Sequence, residues 1–337
     1  MLMLGNLWYI IIFVLIIGYF ALDGFDLGAG VLYPFIAKDE KDKKRIMRAI
    51  GPVWDGTEVW LLTAGGALFA AFAPAYATVF SGFYLAIMLV LFGLIFRAVA
   101  VEFRGHGSDM PKVWDVLFFV GSLLPALLLG VAMGNIIQGL PLNAHGDYVG
   151  GFFALLNPFA LLCGVLGLVH MMTQGAAWIA LKAPADSALR AQAAKLRRVL
   201  ALVDLVLFVL VTAAFFLLVT PGLPYAIAST VLAGVFAVLF LAGMAAVAFA
   251  CKADDPKGDL LGIVAAGVSC AGLAGIIGGT QFPNLVPALD PTLSITVANA
   301  ASSNEALFAM TVIAVIGVPL VLVYHVLVYR AFRGRVQ

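Results

Sequence analysis

The sequence predicts an all-α, polytopic membrane protein, and three observations carry that prediction. Hydrophobic residues make up 64% of the 337-residue chain, charged residues only 11%, and mean hydropathy is +1.09. A soluble chain covers itself with roughly a quarter charged residues, so this one has too few to face water. Twenty-five Phe and 35 Gly suit helices packed in lipid, where small residues let backbones approach. The formal charge of +1 excludes a polybasic footprint for nucleic acid, and the hydrophobicity excludes disorder.

A helix needs roughly 20 apolar residues to cross the hydrocarbon, and nine stretches qualify: 7–33, 53–74, 78–100, 113–134, 152–181, 199–219, 225–250, 260–281 and 306–330. They are expected to form one integral membrane domain over 1–337, as two four-helix bundles plus one peripheral helix. The first stretch is apolar from Trp8 to Ala21, and the first basic residue is Lys38. A signal peptide needs a basic n-region and a small-residue cleavage site, so the first span is read as retained. Charged or turn-forming segments separate the spans, among them Lys38–Arg48, Asn143–Gly150, Pro221–Pro224 and Lys252–Gly258. The Pro-, Asn- and Ser-rich stretch from Phe282 to Glu305 reads as an ordered extramembrane loop.

All 19 basic residues lie in or flank the odd-numbered connections or close the chain. The positive-inside rule therefore puts the odd connections and the C-terminus in the cytoplasm and the N-terminus outside. Spans one to four and five to eight then form two groups of like orientation. Their last spans end in Gly134-Asn135 and Gly278-Gly279, a weak sign of duplication.

Ionisable groups inside lipid are functional hypotheses by default. Asp23 and Asp26 share one face of span one at i, i+3, and Gly24, Gly28 and Gly30 thin that helix for a close neighbour. At about 1.5 Å per residue, Asp23 lies roughly 18 Å from Phe35, near mid-membrane. Asp55 and Glu58 open span two with the same spacing. These two serve equally well as interfacial or capping groups or as members of a path. Arg97, at the cytoplasmic end of span three, is the nearest base that could neutralise one of the acids. Burial favours the protonated form of a carboxyl, and no comparable chain reaches the outer face, so the four acids suggest a one-sided proton entry. Asp115 and Asp204 read as interfacial.

Haem or metal ligation by this chain is not expected. His106 and His145 lie in loops, His170 in span five and His325 in span nine, with no paired-ligand spacing. His170 with Met171 and Met172 is a conceivable axial set, but a lone helical His more often hydrogen-bonds a neighbour. Cys163, Cys251 and Cys270 are scattered small hydrophobes. Asn157-Pro158 frees a backbone group, and Thr173-Gln174-Gly175 with Trp178 lies lower in the same span. These residues could line a site for a planar lipid head, and a structural kink explains them equally well.

The runs Leu22-Asp-Gly-Phe-Asp-Leu-Gly-Ala-Gly30 and Arg48-Ala-Ile-Gly-Pro-Val-Trp-Asp-Gly-Thr-Glu-Val-Trp60 resemble subunit II of the cytochrome bd quinol oxidases. So do Thr63–Ala71, Ser81–Tyr84, Phe96-Arg97, Gly134-Asn135, Leu156–Phe159, Thr173–Gly175 and Phe282–Asn284. The resemblance implies a nine-helix subunit of a respiratory quinol:dioxygen oxidoreductase in a prokaryotic cytoplasmic (inner) membrane. Its partner would be a homologous subunit I carrying haem b and haem d, with room for a small single-span accessory subunit and a bound quinone. This subunit would stabilise the haem-bearing bundle, ligate no haem itself and contribute a cytoplasmic proton path. The family's pathway acids match Asp55 and Asp23, with Arg97 at the Phe-Arg position and Glu102 where the family has an acid. At Glu58 the family varies, an amide also being allowed. Residue physics alone leaves two other readings open: a proton-coupled secondary transporter, where membrane acids also act as relays, and a purely structural partner.

Overall fold

The computed structural model describes residues 2–105, 110–219, 227–251 and 256–337. His106, Lys252 and the expected connection at 221–224 lie outside the described residues. The first expected span is two helices, α1 (Leu2–Leu22) and α2 (Gly24–Ile36), meeting at Asp23. At the join Asp23 N donates to Tyr19 O at 2.7 Å and Leu27 N to Asp23 O at 3.0 Å. The charged connection after it is itself helical, α3 (Glu40–Ile50), because Asp39 caps it by accepting from Asp42 N. Its apolar residues Ile46, Met47 and Ile50 dock into the core.

The second and third expected spans follow as α4 (Trp54–Ala71), a short α5 (Ala73–Gly82) and α6 (Tyr84–Gly105). The third span thus starts later than expected, at Tyr84 rather than 78. Next come α7 (Pro111–Gln138), α8 (Pro158–Lys182), α9 (Ala188–Ala214), α10 (Ile227–Ala245) and α11 (Pro256–Gln281). Gly139 ends α7 at φ 89°, a left-handed angle open to glycine. The fifth span begins at Pro158, where the Asn157 side chain accepts from Ala160 N. The expected start at 152 is a short 3₁₀ turn instead. α9 reaches back into the expected basic connection to Ala188.

Among the described residues eight helical stretches are long and apolar enough to cross a membrane. α4 is not among them, since Asp55 and Glu58 fall within its 18 residues. The stretch from Phe282 onward is ordered, as expected, but it is not wholly irregular. It forms a two-stranded antiparallel ribbon, β1 (Asn284–Val286) and β2 (Ile295–Thr296), then α12 (Val297–Ala300). Leu140 N to Pro287 O at 2.8 Å and Leu289 N to Leu140 O at 2.9 Å fasten it over the α7 end.

α8, α9, α10 and α11 pack as one four-helix group, while α2 and α7 join it to the first group through α8. The α2–α8 crossing is set by glycines: a Cβ on Gly28 would stand 1.7 Å from Met171 O, and one on Gly175 2.2 Å from Ala29 N. The last helix, α13 (Asn304–Ala331), is peripheral. It touches α1 and α4, with Trp8 Nε1 donating to Leu307 O and Thr311 Oγ1, and most of its apolar side chains are exposed.

Candidate functional site

The site is built where α2, α4 and α6 converge. α2 brings Asp23 at its start and Asp26 on the same face; α4 brings Thr57 and Glu58 in its first turns; α6 brings Arg97. Asp23, Asp26, Thr57 and Arg97 are all buried. Arg97 Nη1 lies 2.8 Å from Asp23 Oδ1, and its Nη2 donates to Glu58 Oε1 at 2.5 Å. One guanidinium thus bridges two helices through two charge-assisted contacts, a geometry for which its fork is suited.

Thr57 completes the cluster. Its Oγ1 stands 3.1 Å from both Asp23 Oδ1 and Asp26 Oδ2, and 2.8 Å from Trp54 O. A hydroxyl carries one proton and two lone pairs, so it can donate to one of these oxygens while accepting from a protonated carboxyl. Asp26 Oδ1, the Tyr329 hydroxyl and both Gln174 amide atoms find no hydrogen-bond partner among the described residues, and the Tyr19 hydroxyl lies against Asp23. A Cβ on Gly24 would stand 2.3 Å from Gln174 Oε1, so Gly24 admits this amide from α8 beside Asp23.

Glu58 is partly open, its side chain 23% exposed. Asp55 lies exposed one turn earlier on α4, near enough to add to the negative field at Glu58. The acids therefore grade from exposed Asp55 through Glu58 to buried Asp23 and Asp26. Glu102 stands exposed further along α6, so the charge that Arg97 bridges comes from Asp23 and Glu58. Sequence reasoning reached four acids and the arginine but missed Thr57, whose signal was its place between Asp55 and Glu58 on one helix turn. It also missed Tyr19, one turn before Asp23.

A second buried pair corrects an expectation. Asp204 is not interfacial: it is fully buried, and its Oδ2 lies 2.7 Å from His170 Nδ1. α9 starts ten residues before Arg198, so Asp204 falls inside the bundle against α8. The expectation that a lone helical His bonds a neighbour holds for both span histidines. His325 Nδ1 lies 2.8 Å from Val321 O, and Trp60 Nε1 donates to His325 Nε2 at 3.2 Å. Both His325 nitrogens are thus engaged. Beyond Asp204 the His170 ring neighbours the Cys270 thiol, and it borders an apolar cavity of about 480 Å³ between α7, α8, α9, α10 and α11. Among the described residues no second His stands by His170 to complete a ligand pair. No cluster of three or more His, Cys, Asp or Glu suited to a metal ion occurs among the described residues.

Outside the spans, α3 is fixed by charge. Asp115, at the start of α7, accepts from Tyr33 Oη at 2.5 Å, Lys43 Nζ at 2.7 Å and Arg104 Nε at 2.9 Å. The Lys43 ammonium is held above its ordinary value, first by the Asp115 hydrogen bond. Glu40 is held below the usual carboxylate value, first by the hydrogen bond from Arg104.

The profile of the family described as "Cytochrome bd terminal oxidase subunit II" matches residues 4–332. "Cytochrome bd-I ubiquinol oxidase subunit 2" of Escherichia coli K12 is 43% identical over 210 residues, covering 60% of this chain and 55% of that protein. The match thus spans about half the length of that relative. "Cytochrome bd ubiquinol oxidase subunit 2" of Bacillus subtilis is 33% identical, over 99% of this chain and 97% of its own. Among solved structures, a chain of the bd oxidase from Geobacillus thermodenitrificans superposes with a TM-score of 0.77 over 98% of both chains, at 18% identity. At that identity the likeness is one of fold.

Proposed function

The chain belongs to the cytochrome bd terminal oxidase subunit II family, and on that footing we propose that it serves a quinol-oxidising, dioxygen-reducing complex as its proton-uptake subunit. The observation that carries this reading is the graded acid cluster: Asp55 exposed, Glu58 half-open, Asp23 and Asp26 buried, with Arg97 bridging the outer and inner members. Nine spans, with α4 as the second, put the N-terminus outside and every basic connection in the prokaryotic cytoplasm. The cluster then opens to the cytoplasmic side.

Three carboxylates around one guanidinium leave an excess negative charge when all are ionised, and an uncompensated buried charge is costly. The inner cluster is therefore suited to hold a proton. Asp55 collects it from water, Glu58 relays it past Arg97, and Asp23 passes it on. Thr57 Oγ1 accepts from one protonated aspartate while donating to the other, so a proton moves between Asp23 and Asp26 without a large displacement. The polar groups of Tyr19, Tyr329 and Gln174 around them can hydrogen-bond water along that route.

Haem b and haem d, carried by a homologous partner subunit I, supply electron transfer and oxygen reduction. The donor set here fits neither well: His325 has both nitrogens engaged, and among the described residues no second His stands by His170 at its cavity. A structural quinone fits that cavity better, since its walls are almost wholly apolar. A secondary transporter would need helices truly interrupted at mid-membrane. The α1–α2 break at Asp23 is one interruption of that kind, and membership of the oxidase subunit family favours the oxidase reading over transport.

The test is oxygen consumption and haem content of purified complexes carrying Asp23→Asn or Asp55→Asn. Turnover at least roughly tenfold below wild type with haem intact is expected, within the usual range for lost proton transfer. Wild-type turnover in both would leave this subunit with a structural role alone.

A further inference from the structure

A second polar site lies at the rim assigned to the cytoplasm, away from the acid cluster. The C-terminal end of α8, the end of α3 and the segment after α13 enclose a pocket of about 240 Å³. Three cations line it, Arg48, Lys182 and Arg335, and among the described lining residues there is no acid. Trp178, Val53 and Phe332 supply apolar walls.

The cations are held in place by groups that bring almost no counter-charge. Lys182, 5% exposed, donates to Phe332 O and lies 4.8 Å over the Trp178 ring. Arg335 Nη1 donates to Ala180 O at 3.0 Å and Ala183 O at 2.6 Å, at the unpaired carbonyl end of α8. Arg48 Nη1 donates to Gln337 O at 3.4 Å. One carboxylate touches any of them: Asp259 Oδ2 is 3.0 Å from Arg335 Nη2, and the same oxygen lies 2.8 Å from Arg190 Nε. Asp259 Oδ1 also pairs with Arg197. Three guanidiniums thus share one acid, while Lys182 has a carbonyl partner alone and Arg48 reaches only the main-chain oxygen of the last residue, Gln337. A nearly buried ammonium in such a setting is stabilised by an anion from outside.

We propose that this pocket binds a phosphate group, as an anionic phospholipid headgroup or as free phosphate. Arginine forks and a lysine point charge are the usual donors to phosphate oxygens, and basic pockets between spans on the cytoplasmic side recognise anionic headgroups. The lipid source is favoured by the surroundings. Phe332, at the mouth, is 51% exposed, and exposed Tyr324 and Leu327 continue down α13, an apolar track along which acyl chains can lie. The bound group would tie α3, α8 and the segment after α13 into one unit. Its placement in the cytoplasmic leaflet rests on the orientation proposed above.

The test uses the delipidated, detergent-purified complex. Native mass spectrometry and thermal melting are read with added phosphatidylglycerol, phosphatidylcholine or inorganic phosphate, on wild type, Arg48→Gln and the Arg48→Gln/Arg335→Gln double variant. Wild type should retain phosphatidylglycerol on the order of tenfold more tightly than phosphatidylcholine, and the double variant should lose that preference. Stabilisation by inorganic phosphate but not by phosphatidylglycerol would support the site with a free anion as its occupant. No response to either anion, or equal responses in wild type and both variants, would overturn it. Arg48 is exposed and can be changed without disturbing folding, so Arg48→Gln alone keeps the test decisive should the double variant not assemble. Haem content of the same samples reports separately on the oxidase reading. Labelling of Arg333→Cys in inverted and right-side-out vesicles reports on sidedness.

Discussion

Arg97 Nη1 lies 2.8 Å from Asp23 Oδ1, both groups buried, although the whole of α4 separates α6 from α2 in sequence. The contact means that the deepest acid of the cluster is never alone. It also means that Arg97 decides whether the acids can be assembled at all.

Removing the guanidinium should therefore damage assembly before it affects turnover. Arg97→Ala strands a buried carboxylate, a change that typically costs about 3–5 kcal/mol. Arg97→Lys keeps the charge but cannot reach Asp23 and Glu58 with one planar fork. The alanine variant should purify with little bound haem partner. The lysine variant should assemble with a lowered melting temperature and reduced oxygen consumption. Equal yield and stability for Arg97→Ala would show that the ion pair is dispensable.

Thr57 separates relay from structure more cleanly. Thr57→Val keeps the volume and removes the hydroxyl that stands 3.1 Å from both aspartates. Turnover should fall by about tenfold or more while haem content holds, as for loss of a positioned proton-transfer group, and Thr57→Ser should restore most of it. Unchanged oxygen consumption in the valine variant would remove Thr57 from the path.

These residues also mark how far the sequence was legible. Asp23, Asp26, Glu58 and Arg97 stood out because a charge in an apolar run is too costly to persist without a partner or a task, and their meeting follows from adjacent spans. Thr57 did not stand out, because a threonine in a helix is ordinary until two carboxylates from another helix close on it. Asp204 was misread for a related reason. Its distance from Arg198 suggested the interface, but α9 begins at Ala188, and only packing against α8 reveals His170 as its partner. The α3 helix hid inside a charged connection, since a single buried face of Ile46, Met47 and Ile50 is a weak signal over eleven residues.

The His170–Asp204 pair gives a prediction about the haems. His325 has both ring nitrogens engaged, whereas His170 borders an open apolar cavity, so His170 is the span histidine from which this chain could ligate iron. His170→Gln should leave the visible haem spectrum of the complex unchanged. It should lower stability by a few kcal/mol, because Asp204 loses its partner in a buried setting. A lost or shifted haem band would move a haem onto this subunit.

The anchoring of α3 has a pH dependence with a definite sign. Glu40 is held below its ordinary value by Arg104, so its contribution is present above the unfolded carboxylate range and lost as pH falls through the depressed value. Lys43 is held above its ordinary value by Asp115, so its contribution is present at neutral pH and lost only as pH rises past the ordinary lysine range. As pH falls below about 4, the ordinary glutamate value, toward the depressed value, the Glu40–Arg104 link weakens while Lys43 remains charged. Limited proteolysis within Glu40–Ile50 should then be modestly faster than at neutral pH, and Glu40→Gln should abolish the difference. The exposed position of Glu40 keeps the effect small.

The glycine crossing between α2 and α8 supplies the sharpest packing test. A Cβ on Gly28 would fall 1.7 Å from Met171 O, a backbone atom that cannot rotate away. Gly28→Ala must push the two helices apart, and overpacking of this kind costs about 1–3 kcal/mol or more. The displacement would also carry Asp26, two residues away on the same helix, from the hydroxyl of Thr57. Gly267 on α11 has nothing within 4 Å of its would-be Cβ, so Gly267→Ala should be neutral or slightly stabilising through helix propensity. Melting temperatures and oxygen consumption of the two variants would be compared in parallel. A Gly28→Ala complex with wild-type stability and turnover would mean that the α2–α8 contact is not what holds the acids in register.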